Sequence, residues 1–208
     1  MIAVAPGHPA LHHLPKGWMV HGEQILALLE QHCPMVVVEL GTCYGRSAVA
    51  MARVVKDWGG VIYCVDTWSG RPRNGPGQAW PVRLLAAAHN LKAAKVAASV
   101  RLIVGTTHEV AQAWTGPLID VLYVDADHSY ESCLRDLELW TPHVRPGGLI
   151  VGDDYGNPKC PEVQLAWDAF ERLSGVSLTR DALPGTGRAL VYGRVSSREG
   201  VLCPSDTM

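Results

Sequence analysis

The stretch Val121–Glu131, V-L-Y-V-D-A-D-H-S-Y-E, decides how this chain reads, together with R-P-G-G-L-I-V-G-D-D-Y at Arg145–Tyr155. Each contains an apolar run short enough for a buried parallel strand, and each run closes on acid. Asp125 ends the first, with His128 three residues on; Asp153 and Asp154 end the second. In an open α/β sheet, ligands bind beyond the carboxyl ends of the strands. The pattern therefore predicts three carboxylates and an imidazole at one crevice, a site for a hard divalent cation beside a proton acceptor.

Outward from these two motifs, strand-like and helix-like segments alternate. Met35–Leu40, Val61–Asp66, Val100–Val104, Ile119–Asp125 and Gly148–Asp153 read as five strands. Helical spacing falls at Gly22–His32, Tyr44–Lys56, Trp80–Val96, Thr107–Trp114, Tyr130–Thr141 and Glu162–Leu173. Val176–Asp181 and Arg188–Gly193 read as two closing antiparallel strands. Strands separated by helices imply a mostly parallel sheet covered on both faces. The organisation predicted is an N-terminal arm and helix over residues 1–34, one α/β domain over 35–193 and a polar tail over 194–208.

The turn E-L-G-T-C-Y-G, Glu39–Gly45, joins the first strand to its helix. Its glycines permit a sharp turn and a close ligand approach, and the helix start offers free N–H donors. The dinucleotide fingerprint G-x-G-x-x-G is missing, because Glu39 stands at its first glycine, which disfavours a nicotinamide oxidoreductase. Asp66 ends the second strand 21 residues after Gly45, where an acid can accept from ribose hydroxyls.

Composition bounds the function. The 208 residues carry 18 Lys and Arg against 20 Asp and Glu, a net charge of −2, so no basic face for nucleic acid is expected. No apolar run has the length of a membrane span, and the N-terminus lacks the pattern of a signal peptide. Six scattered cysteines with no C-x-x-C pair read as reduced thiols in a cytoplasmic protein, none of them catalytic.

Taken together, E-L-G-T-C-Y-G-R-S, V-D-T-W-S-G, Y-V-D-A-D-H-S-Y-E and P-G-G-L-I-V-G-D-D-Y resemble the class I S-adenosylmethionine-dependent methyltransferases. Within them the chain is similar to the metal-dependent O-methyltransferases related to the macrolide-sugar and catechol enzymes. The resemblance implies a Rossmann-like, doubly wound α/β fold: a seven-stranded, mostly parallel sheet with its final strand reversed and helices on both faces. It implies that Glu39, Gly41 and their neighbours Thr42, Tyr44, Gly45 and Ser47 hold the methionine end of S-adenosylmethionine. Asp66 would bind the ribose, with Thr67 beside it and Trp68 along the adenine. Thr106 or Thr107 would contact the adenine edge, and Asp125 would border the cofactor. Asp125, Asp153 and Asp154 would bind Mg²⁺, or Mn²⁺ or Ca²⁺, and His128 stands where relatives carry a Lys or His general base.

The expected activity is methyl transfer to a hydroxyl of a small molecule with adjacent oxygens, a sugar or a catechol-like ring. A metal-independent methyltransferase using His128 with an acid partner is the alternative, and a cofactor-binding subunit serving a partner enzyme is a third reading. Asp127 is the expected cap of the helix starting at Tyr130. Trp68, Trp80 and Tyr155 border the expected site, and Arg71 and Arg73 lie in the long loop 67–80, which has no regular period and reads as a lid or substrate loop. A homo-oligomer is expected; nucleic-acid and membrane partners are not.

Overall fold

The computed structural model describes residues 7–15, 19–69 and 81–196. Arg71, Arg73, Trp80, most of the loop that holds them and the tail from residue 197 lie outside the described residues. Helix α1 (Gly22–His32) precedes β1 (Val36–Leu40), α2 (Arg46–Val55), β2 (Val61–Asp66), α3 (Val82–Ala93), β3 (Val100–Val104) and α4 (Thr107–Gln112). There follow β4 (Ile119–Val124), α5 (Tyr130–Trp140), β5 (Val144–Tyr155), α6 (Pro161–Ser174), β6 (Leu178–Ala182) and β7 (Ala189–Arg194). The strands form one seven-stranded sheet in the order β3-β2-β1-β4-β5-β7-β6. Pairings from β3 across to β5 are parallel, and β7 runs antiparallel to both β5 and β6. It is the reversed final strand that the resemblance implied.

Alternation of side chains along the strands divides the interior in two. Val37, Val121, Tyr123, Leu149 and Val151 face a core with Ile25, Leu29, Met51 and Leu91 of α1, α2 and α3. Val38, Leu40, Leu122, Val124 and Ile150 face the other, with Leu137 and Trp140 of α5 and Trp167 and Phe170 of α6. Because both faces are covered, the central strands are apolar throughout. Glu39 is the exception in β1 and is completely buried. β1 lies between β2 and β4, so the chain winds outward in both directions from it. The carboxyl ends of β1 and β4 therefore flank the switch point, where such sheets open a crevice.

Element boundaries depart from expectation mainly at β5. The segment Arg145-Pro146-Gly147-Gly148 reads as a turn, yet β5 begins at Val144. Gly147 takes a φ of 80° and donates its N–H to Val195 O at 2.7 Å, and the β4–β5 register shifts between Ile119 and Val121. The irregular residues are thus absorbed as a bulge rather than breaking the strand. The cap of α5 is Ser129, whose hydroxyl accepts from Ser132 N–H, and not Asp127, which accepts from Ser129 N–H at 2.8 Å one step upstream.

At the switch point Gly41 has a φ of 89° and sits against the loop after β4. A Cβ there would overlap the Asp125 carbonyl oxygen and stand 2.7 Å from Ala126 Cα. Gly41 N–H donates to Val65 O at 2.9 Å and Asp125 N–H to Leu40 O at 3.0 Å, so both loops continue the strand ladder. Backbone strain and a backbone clash coincide, and neither can be relieved by turning a side chain. Gly41→Ala is expected to lower the unfolding free energy in urea by about 2–4 kcal/mol; an unchanged midpoint would contradict this packing.

Candidate active site

The turn after β1 is built around a buried acid. Glu39 accepts hydrogen bonds from Thr42 Oγ1 at 2.8 Å and from Ser47 Oγ. Burial pushes the Glu39 carboxyl above its ordinary range, and the Ser47 and Thr42 hydroxyls oppose that push. Thr42 and Ser47 are themselves buried. These three side chains shape the turn from within. What the turn presents is backbone. Gly45 opens α2 with a φ of 79° and no side-chain cap, leaving the first N–H groups of the helix as donors. Tyr44 carries Arg83 over its ring at 5.7 Å, and its carbonyl accepts from Asn90 Nδ2 at 2.9 Å.

Asp66 lies at the end of β2, facing this turn. Its Oδ2 accepts from Cys43 N–H at 2.7 Å and its Oδ1 from Trp68 N–H at 2.7 Å. Each oxygen keeps a further lone pair for a ribose hydroxyl. Thr67 Oγ1 accepts from Ser69 Oγ at 2.9 Å. Trp68, expected along an adenine, is completely buried, with its indole N–H donated to Cys43 O at 2.9 Å. It braces the turn from beneath. Thr106 forms a capping box with Glu109 at the start of α4. Thr107 is drawn toward α5: its carbonyl accepts from Trp140 Nε1 at 3.0 Å. Thr107 is thus held toward the α4–α5 corner, while Thr106, tied to Glu109, stays exposed.

The acids of β4 and β5 meet His128, but only two of the three do. His128 Nε2 lies 3.0 Å from Asp154 Oδ2 and 3.6 Å from Asp125 Oδ1, the second an ion pair beyond hydrogen-bond length. Nε2 is buried, and its N–H direction aligns well with neither oxygen. The carboxylates of Asp125 and Asp154 nonetheless lift His128 to about 10, against the effect of burial, so the ring is an imidazolium at neutral pH. Burial alone would raise Asp154, yet His128, Asn157 and Arg188 outweigh it and hold the acid at about 2. For Asp125, burial wins and its carboxyl rises, with His128 opposing.

Asp153 goes elsewhere. Adjacent strand residues point to opposite faces, and Asp153 points into the α1 side. There its Oδ1 lies 2.5 Å from His21 Nδ1, and its Oδ2 accepts from Tyr123 OH at 3.1 Å. Asp154, with a φ of 60°, turns the other way; its Oδ1 takes Arg188 Nη2 and accepts from Asn157 Nδ2 at 2.6 Å. The expected convergence of three acid oxygens is therefore not what the chain builds. Among the described residues, the ligand-type atoms that do gather within 4.8 Å of one another belong to His128, Asp154 and Cys160. An oxygen-only cage for magnesium does not fit this arrangement, because Asp153 is diverted and Asp154 already holds two cationic groups. Tyr155, expected to line the pocket, instead donates its OH to Asp168 at 2.8 Å and accepts from Arg180 Nε.

Four residues of this site escaped the reading of the sequence: His21, Asn157, Cys160 and Arg188. The antiparallel pairing of Tyr155 with Ala189 is the signal for Arg188, since it sets residue 188 beside the end of β5.

A profile of the methyltransferase domain family matches residues 38–155, more than half of the chain, and the chain belongs to that family. The Sinorhizobium fredii protein y4gI is 30% identical over 142 residues, 67% of this chain; the chain spans only 15% of the length of that relative. Solved O-methyltransferases share the fold. One from Bacillus cereus, in complex with S-adenosylhomocysteine, superposes with a TM-score of 0.69 at 18% identity, over 91% of this chain and 92% of that one. TomG from Streptomyces achromogenes, involved in tomaymycin synthesis and solved with S-adenosylmethionine, gives 0.64 at 21% identity, over 93% and 92%. The fold is accordingly that of the class I methyltransferases. Among the described residues, no helix is long and apolar enough to cross a membrane.

The raised pKa of His128 sets a stability test. Its folded value, about 10, lies above the ordinary 6.5, so its stabilising contribution is complete below pH 6.5 and fades as pH climbs toward 10. The difference in melting temperature between the wild type and His128→Gln is expected to be largest near pH 6 and to narrow steadily toward pH 10. A gap that widens over that range would contradict the charge assignment.

Proposed function

We propose that the chain is an S-adenosylmethionine-dependent O-methyltransferase acting on a hydroxyl of a small molecule. The observation that carries this reading is the contact of Gly41 with the Asp125 carbonyl. It brings together the turn after β1 and the loop after β4, with Asp66 at the neighbouring end of β2 and His128 three residues beyond Asp125. Asp66 would hold the ribose hydroxyls of the cofactor, and the free N–H groups at the start of α2 its methionine carboxylate. The cofactor-bound state of the B. cereus enzyme and of TomG supports this assignment by likeness of fold.

The acceptor hydroxyl meets His128 between Asp125 and Asp154. Its oxygen attacks the sulfonium methyl in line, the S–CH₃ bond breaks as the O–CH₃ bond forms, and S-adenosylhomocysteine leaves. The hydroxyl proton passes to the imidazole of His128, which must first be neutral. Asp125 and Asp154 face it with negative charge and Arg188 stands beyond Asp154, so the neutral ring is populated only as pH approaches about 10. Because no step needs the oxygen-only cage, transfer is assigned to the side chains of the chain itself.

Transfer of radiolabelled methyl from S-adenosylmethionine to a panel of catechols and sugars with neighbouring hydroxyls tests the activity. For an accepted substrate, kcat/KM is expected to rise between pH 7 and about 10. His128→Ala should lose that rise and about 10²- to 10⁴-fold in turnover while still binding cofactor. A pH-independent wild type would remove His128 from the role. Asp66→Ala should weaken S-adenosylhomocysteine binding about 10- to 100-fold, the value of a charge-assisted hydrogen bond; unchanged affinity in equilibrium dialysis would overturn the ribose assignment.

A further inference from the structure

Among the described residues, Arg188 is the one fixed positive charge paired with the strand-end acids, and the fold goes to some length to place it. It enters β7 from a hairpin turn in which Leu183 N–H donates to Arg188 O at 2.8 Å and Arg188 N–H to Thr186 Oγ1 at 3.1 Å. The turn after β5 presses on that hairpin. Gly156 has a φ of 72°, and a Cβ on it would overlap the Gly187 carbonyl oxygen. Two backbones in contact hold residue 188 beside Asp154, and its Nη2 binds Asp154 Oδ1. Asn157 Nδ2 steadies the same oxygen at 2.6 Å.

The charges near Asp154 then have their partners within the chain. Oδ1 faces Arg188, Oδ2 faces His128 at 3.0 Å, and Asp153 is taken by His21 and Tyr123. A divalent cation seated on Asp154 would have to displace Arg188 or His128 and would then sit a few ångströms from a like charge. A guanidinium cannot yield by losing its proton, as an imidazole can, because Arg stays charged at every working pH.

We propose that Arg188 is a built-in cation that takes the place of a divalent metal at these acids. It excludes the metal from Asp154, and this exclusion does not rest on the methyltransferase reading.

Mn²⁺ titration of metal-stripped protein, followed by electron paramagnetic resonance, is the test, with Zn²⁺ competition because Cys160 lies within reach of Asp154. The wild type is expected to show no site tighter than about 1 mM for either ion. Arg188→Met, which keeps length and packing, should gain one Mn²⁺ with at least about 10-fold higher affinity. Arg188→Met with Asp154→Asn should lose it again. Stoichiometric binding to the wild type that Asp154→Asn abolishes would overturn the proposal. So would an Arg188→Met variant with wild-type circular dichroism and no gain. The rise in melting temperature with S-adenosylhomocysteine, taken on the same EDTA-treated samples, separates the two claims. A missing rise with metal exclusion intact removes the methyltransferase reading and leaves Arg188 as the excluding cation.

Discussion

The contact between Gly41 and the Asp125 carbonyl fixes the distance between two loops that come from opposite halves of the winding. On one side hang Gly45, the open start of α2 and Asp66; on the other, Asp125 leads directly to His128. The turn offers backbone donors and the Asp66 carboxylate, and the loop after β4 offers the His128 imidazole beside two acids. A residue with no side chain lets the two loops meet, because any Cβ would wedge them apart.

The second constraint is electrostatic. Carboxylates at adjacent strand ends destabilise one another unless each finds a compensating group, and each does so differently here. Glu39 is buried among hydroxyls and its proton affinity rises. Asp153 is tied to His21 and Tyr123 on the α1 side. Asp154 is surrounded by Arg188, Asn157 and His128 and stays ionised down to about pH 2. Asp125 is left with a distant imidazolium and its carboxyl rises. One sheet end thus holds acids of very different basicity, set by neighbours and not by residue type.

Much of the fold was legible because its signals are local. β2 and β3 have the bounds that their apolar runs predict, and so does α1. The parallel pairing of β1 to β5 follows from the alternation of elements, and the reversed β7 from the family resemblance. The placement of Asp125, His128, Asp66 and the glycine turn at the carboxyl ends was equally readable, since a strand end is a local feature. What was not readable depended on direction or on long-range pairing. Adjacent Asp153 and Asp154 look alike in sequence, and only the alternation of faces together with the positive φ of Asp154 sends them apart. Trp68 next to a strand end suggests a ligand stack, but its indole found the Cys43 carbonyl instead. Arg188 comes 34 residues after Asp154 and meets it only because β7 runs back along β5.

Calorimetric titration of S-adenosylhomocysteine into the EDTA-treated protein, repeated in magnesium, tests the central claim most directly. The geometry predicts one site of micromolar affinity, with the same heat in both buffers, because cofactor contacts and charge compensation both come from the chain. Folded protein that binds no S-adenosylhomocysteine in either buffer, or binds it only with magnesium, would contradict it.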